Sequence, residues 1–197
     1  MVTGTPLRLH RAVTFEATAE QWSDLRRWLA EEAPATAWEP ASVTPWPPSW
    51  PAVPALQAWF ERVTVGLPLP SGKEFFSLAR AEAEWRRAIN ARPSEQGAGP
   101  DGPPEAGTSA SRYQNEFLPL ASYGGADRLV FDARPGPLHG CVSTYFIEVP
   151  SFVPAPEFTS LHGLLSDLLT ALRHGAPFMG CQAAVDASGR LDWVYEG

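Results

Sequence analysis

Apolar positions along the chain follow helical spacing in the first half and strand-like runs in the second. Trp22, Leu25, Trp28 and Leu29 recur three and four apart, the signature of one helix face. The spacing predicts a helix to about Glu32, with Arg26, Arg27, Glu31 and Glu32 toward water and Thr18 and Gln21 as a capping box at its start. Leu56, Trp59, Phe60 and Val63 predict a short helix closed at Gly66, and Lys73 to Phe76 a brief strand. Ser77 is placed to cap a helix from Leu78 to about Asn90, with Leu78, Trp85 and Ile89 inward and Glu82 and Arg86 as an outward i,i+4 pair.

Later in the chain the period changes. Residues from Asn115 to Ser122 and from Arg128 to Ala133 read as strands around a Gly124–Gly125 turn, with Leu129 and Phe131 on one face. From Cys141 to Val149 runs a longer strand, Val142 and Phe146 on one face and Tyr145 and Ile147 on the other. The clearest helix extends from Thr159 to His174. Its stripe is Leu161, Leu164, Leu165, Leu168 and Leu172, and Gly175 is its stop. Ala183 to Val185, a turn at 186–189, and Leu191, Trp193 and Tyr195 complete a hairpin.

Two stretches escape both periods. Prolines between Pro34 and Pro54 forbid a continuous helix or central strand, so this segment is expected to run extended, with Trp38, Trp46 and Trp50 along the body of the domain. A proline-type ligand for an aromatic groove is the alternative. Residues 91–111 contain no apolar side chain larger than alanine or proline and are expected to form a flexible insert, since burial there cannot offset chain ordering. The expected organisation is an N-terminal helix and Pro/Trp-rich arm, residues 1–55, packed on an α+β domain, residues 56–197. Within one domain, an antiparallel or mixed sheet should carry helices packed against it.

Composition narrows the function classes. With 197 residues and 44% hydrophobic content the chain can bury a sizeable core. The formal net charge of −7 argues against direct nucleic-acid binding, which needs a basic footprint, and suits a basic protein partner. Cys141 and Cys181 make neither a disulfide framework nor a CxxC pair, and no run approaches membrane-spanning length; a reduced, cytoplasmic protein is expected.

No catalytic constellation emerges. The stretch from Gly66 to Lys73 is one residue too long for a phosphate loop, Glu74 stands where Ser or Thr is needed, and its prolines remove cradle amides. His139, Cys141 and Asp132 can be arranged on paper as base, thiol and orienter, but no helix N-terminus follows to lower the thiol pKa, and a cysteine opening an apolar strand is usually an inert small hydrophobe. Asp127 and Asp132, five apart on a strand, point to opposite faces. His10, His139, His162 and His174 do not cluster, so neither metal nor other cofactor is expected.

The segment from Asn115 to Glu148 resembles the SUKH superfamily, also called the Smi/Knr family after the fungal cell-wall-assembly regulator. Phe117-Leu118-Pro119-Leu120-Ala121, Gly124-Gly125, Asp127, Leu129, Asp132, Gly136, Gly140 and Val142 stand at places matching that family's pattern. Upstream, Phe76-Ser77-Leu78 and Trp85-Arg86 look like its helix start and end; downstream, the leucine-rich helix looks like its terminal one, and the last hairpin resembles actinobacterial members. Ala126 interrupts the usual Gly-Gly-Asp, and the segment before Gly66 departs from the family's ordinary beginning. The resemblance implies a non-enzymatic protein-binding domain, above all an immunity-type protein that neutralises a cognate toxin of nuclease or deaminase type. A regulatory or scaffolding protein and a Cys/His enzyme are the alternatives. Gly124, Gly125, Asp127 and Asp132 are then the family-motif turn, and Trp38, Trp46, Trp50 and Tyr123 the candidate partner surface. Oligomeric state is left open.

Overall fold

The computed structural model describes residues 7–91, 105–110, 112–122, 127–146, 151–152 and 156–195, with only the backbone described for 7–18 and 151–152. Its centre is a five-stranded antiparallel sheet in the order β3-β4-β5-β6-β7: β3 Glu74–Phe75, β4 Phe117–Ser122, β5 Arg128–Asp132, β6 Val142–Phe146 and β7 Ser151–Phe152. Every residue of β4 and β5 is buried, which explains why their sequences read as near-continuous apolar runs rather than clean alternations. Leu118 faces Phe131, and Phe131 faces Val142 in turn. Proline at 119 has no N–H for the ladder, and the register shifts between Pro119 and Ala121, the kind of irregularity that lets proline sit inside a sheet.

Among the described residues four α-helices accompany this sheet: α1 Leu7–Glu32, α2 Pro54–Arg62, α3 Leu78–Asn90 and α4 Leu161–His174. The first begins well before the expected cap at Thr18. No glycine or proline interrupts residues 7–33, so nothing stops the helix from extending through that threonine. Elsewhere the Ser77 cap and the Gly175 stop are where the sequence puts them. The second helix instead ends at Arg62, short of the expected close at Gly66, because Thr64 and Val65 pair as a strand with Glu39–Pro40. The last helix starts at Leu161 behind Ser160 rather than at Thr159. Ser77 accepts the Arg80 N–H at α3, Ser160 accepts the Gly163 N–H at α4, and Gly175 closes α4 at φ +66°. A Cβ at Gly175 meets nothing within 4 Å, so Gly175→Ala isolates the backbone cost. A destabilisation of about 1–2 kcal/mol is expected from the left-handed conformation alone, measurable as a lowered urea midpoint with unchanged m-value.

Aromatic rings join the N-terminal elements to the sheet. Trp22 of α1, Trp59 of α2 and Phe75 of β3 pack edge to face with centroids 5.0–5.8 Å apart. From the arm, Trp50 packs on Phe60 of α2 and Trp85 of α3. A polar clasp ties α1 to α4: Gln21 Nε2 donates to Ser166 Oγ and the His162 carbonyl, and Gln21 Oε1 lies 3.0 Å from His162 Nδ1. On α3, Glu84 receives Arg128 of β5 at 2.8 Å and Arg87 at 2.5 Å. Burial alone would raise the Glu84 pKa, but these two guanidinium groups outweigh it and hold the carboxyl below its ordinary value.

Among the described residues there are also two small sheets. β1 Glu39–Pro40 pairs with β2 Thr64–Val65, and β8 Cys181–Val185 with β9 Leu191–Tyr195. The arm reaches the hairpin directly. Ala35 N–H donates to the Gly189 carbonyl, Leu191 N–H to Thr36 Oγ1, and Trp193 Nε1 to the Pro68 carbonyl. Buried side chains from Trp22 to Leu191 belong to one hydrophobic cluster, making a mixed α+β fold of a single domain. Among the described residues no helix is long and apolar enough to cross a membrane.

The segment 105–110, which composition assigns to the flexible insert, is fastened to the sheet. Ala106 N–H donates to the Pro135 carbonyl and Gly107 N–H to Asp132 Oδ2, and Arg134 reaches the Thr108 carbonyl. Composition counts only large apolar side chains, whereas this segment is held through its own backbone groups and the small buried Ala106 and Ala110.

Candidate functional site

A cleft of about 450 Å³ opens beside the sheet, lined by Lys73, Asp127, Thr144, Phe146, Glu157, Phe158 and Met179. Its architecture follows from two strand-like contacts. Thr144 and Phe146 are alternate residues of β6 and so share a face. Ahead of α4, Phe158 exchanges both backbone hydrogen bonds with Val142, at 2.8 and 3.0 Å, which lays residues 156–158 along that strand. Glu157 is thereby brought to Thr144, whose Oγ1 donates to Glu157 Oε1 at 2.6 Å. The apolar part is firm: Phe158 is buried and stacks on Phe178, with Met179 next in the chain. Phe146 is 39% exposed, unusual for a phenylalanine in a central strand.

The charges of this cleft are not engaged with one another. Among the described residues, the ion pairs are those of Arg27 and Arg173 with Asp24, Arg62 with Glu61, Arg80 with Glu74, Arg86 with Glu82, Arg87 and Arg128 with Glu84, and Arg134 with Asp132. Lys73, Asp127 and Glu157 are in none of them. The result is two carboxylates and one ammonium over an apolar floor, an arrangement suited to binding a charged group with an aliphatic or planar body.

A second cluster is wholly internal. Asp132 is fully buried and accepts from Arg134 Nε at 2.9 Å, Arg134 Nη2 at 2.7 Å, the Arg134 N–H at 3.1 Å and the Gly107 N–H at 2.9 Å. The Arg134 guanidinium also lies over the Phe117 ring, 4.7 Å from its centroid. This pair locks the β5–β6 connection and the 105–110 segment together. His139 is turned to the same loop, with Nδ1 3.0 Å from the Arg134 carbonyl. Cys141 is buried, and burial, reinforced by the charge of Asp132, pushes its thiol pKa up to about 11. A thiol held protonated in this way is the reverse of an activated nucleophile. Cys141 is expected to resist iodoacetamide in the folded protein and to react only after unfolding, as read by peptide mass mapping; rapid native labelling would reinstate a thiol mechanism.

The remaining residues singled out in the sequence are scattered. Trp50 is 5% exposed and belongs to the core, so it is not a surface anchor. Trp38 is half-buried, and Trp46 forms one wall of a groove of about 260 Å³ with Val43, Phe60 and Leu78. Tyr123, Gly124 and Gly125 lie outside the described residues. Asp127 and Asp132 are separated as their spacing requires, one lining the cleft and the other buried against Arg134. Among the described residues no group of three His, Cys, Asp or Glu side chains could hold a metal ion. Thr144 and Glu157 were not singled out by sequence reasoning. Alternation along β6 places Thr144 with Phe146, but Glu157 joins them only through the Phe158–Val142 bridge, for which no local signal exists.

Compared with protein-family models and with curated proteins, the chain matches none of them.

Proposed function

We propose that this chain is a non-enzymatic protein-binding domain of SUKH-like type, acting as an immunity-type protein that neutralises a cognate toxin by binding it. The observation carrying the reading is the ordered series Phe117-Leu118-Pro119-Leu120-Ala121, Asp127, Leu129, Asp132, Gly136, Gly140 and Val142. These residues occupy β4, β5, the start of β6 and the connections between them, at the centre of the sheet. Gly136 at φ +130° and Gly140 at φ +92° have physical reasons to be glycine, since both hold conformations that other residues rarely adopt. Asp132 likewise has a fixed structural task in binding Arg134 and Gly107. The net charge of −7 favours rapid association with a basic partner, and the raised Cys141 pKa speaks against thiol catalysis.

Co-expression with the protein encoded beside it tests the proposal. The expected result is restored growth and co-purification of a stable complex with a basic toxin domain. Absence of protection against any adjacent toxin candidate, with capture of a constant set of envelope or housekeeping proteins instead, would replace this reading by a regulatory one.

A further inference from the structure

We infer that the cleft between β6 and the segment ahead of α4 is the surface that engages the partner, by receiving an arginine or lysine side chain from a loop of a basic protein. This rests on the binding-domain reading above and adds the place and the chemistry of recognition. Three observations point to a cationic occupant. First, Asp127 and Glu157 line the cleft without belonging to any ion pair among the described residues, whereas Arg27, Arg62, Arg80, Arg86, Arg87, Arg128, Arg134 and Arg173 are each paired with an acid of the chain. Other carboxylates, such as Glu31 and Asp192, are also outside these ion pairs. What sets this place apart is that two of them line one cleft with an apolar floor, and the net charge of −7 suits complementation from outside.

Second, the Glu157 carboxylate is already oriented. Thr144 donates to Oε1 at 2.6 Å, so less side-chain freedom is lost when a guanidinium or ammonium arrives. Third, the walls suit a cation with a long apolar stem. Phe146 presents an exposed ring, and Phe158 and Met179 provide the floor on which methylene groups would lie. Lys73 opposes a cation but lies farther than 4 Å from either carboxylate, since it forms no ion pair with them. It reduces affinity rather than closing the site, and this gives the proposal a sign that experiment can read.

The test uses N-acetyl-arginine methylamide as probe and its citrulline counterpart, equal in shape but uncharged, with the intact chain followed by amide NMR. The arginine probe is expected to shift Thr144, Phe146, Glu157 and Met179 saturably, and the citrulline probe is not. Asp127→Asn with Glu157→Gln should weaken the arginine probe about tenfold or more, the scale of a lost charge-assisted hydrogen bond, while Lys73→Ala should tighten it severalfold. Equal response to both probes, shifts elsewhere only, or weakening by Lys73→Ala would overturn the assignment. A second arm applies the double variant to the complex recovered by co-expression. Loss of at least tenfold in affinity supports the cleft as the interface. Unchanged affinity overturns it while leaving the binding-domain reading intact, and failure to recover any complex strikes that reading instead.

Discussion

Asp132→Asn is expected to destabilise the protein by about 3–5 kcal/mol, the range for breaking a buried ion pair from one side. The side chain is fully buried, and Arg134 beside it is 2% exposed. Asparagine keeps the shape but not the charge, and its NH₂ must face donors: the guanidinium of Arg134 and the amides of Arg134 and Gly107. The buried guanidinium is left without its counter-charge, which is the larger part of the cost. Urea denaturation monitored by tryptophan fluorescence reads the effect. Arg134→Met should be costly as well, and the Asp132→Asn/Arg134→Met pair should lose less than the sum of the singles by more than about 0.5 kcal/mol. Additive losses would mean that the two side chains do not act as a unit.

Trp59→Ala should be comparably severe, again about 3–5 kcal/mol, because it removes a fully buried ring from the junction of α1, α2 and β3. Trp22 and Phe75 lose their shared neighbour, and the surrounding elements cannot all close the void at once. The variant should still unfold in one transition seen equally by circular dichroism and fluorescence, since the N-terminal helix shares the main core. A first transition confined to α1 would show that the helix is an appendage. Trp59→Phe keeps most of the apolar volume and should lose distinctly less than the alanine variant.

The sequence made some elements legible and hid others for physical reasons. Caps and periodicity are local, so α3 behind Ser77, the leucine stripe of α4 with its stop at Gly175, and the β8–β9 hairpin are readable directly. The early start of α1 was not, because a possible cap at Thr18 carries no information about whether helix continues upstream of it. Docking of 105–110 leaves no local pattern, because its partners, Asp132 and Pro135, lie at least 25 residues away and the segment is held through its own backbone N–H groups. The candidate site was half visible. Asp127 stood out through the family-like turn, while Glu157 gains its place from Phe158 pairing with Val142, a tertiary contact that leaves no pattern in the sequence.

The hydrogen bonds from Leu191 to Thr36 and from Ala35 to Gly189 join positions more than 150 residues apart. During synthesis, the segment after α1 therefore waits for the hairpin to leave the ribosome before it can settle, and Trp193 reaches Pro68 no sooner. Closing so long a loop late makes folding slow relative to a helical bundle of similar size, and leaves apolar tryptophans transiently open to chaperones. A nascent chain stalled near residue 180 would leave Ala35 and Thr36 without these partners, so cleavage just after α1 should be faster there than once the hairpin has paired.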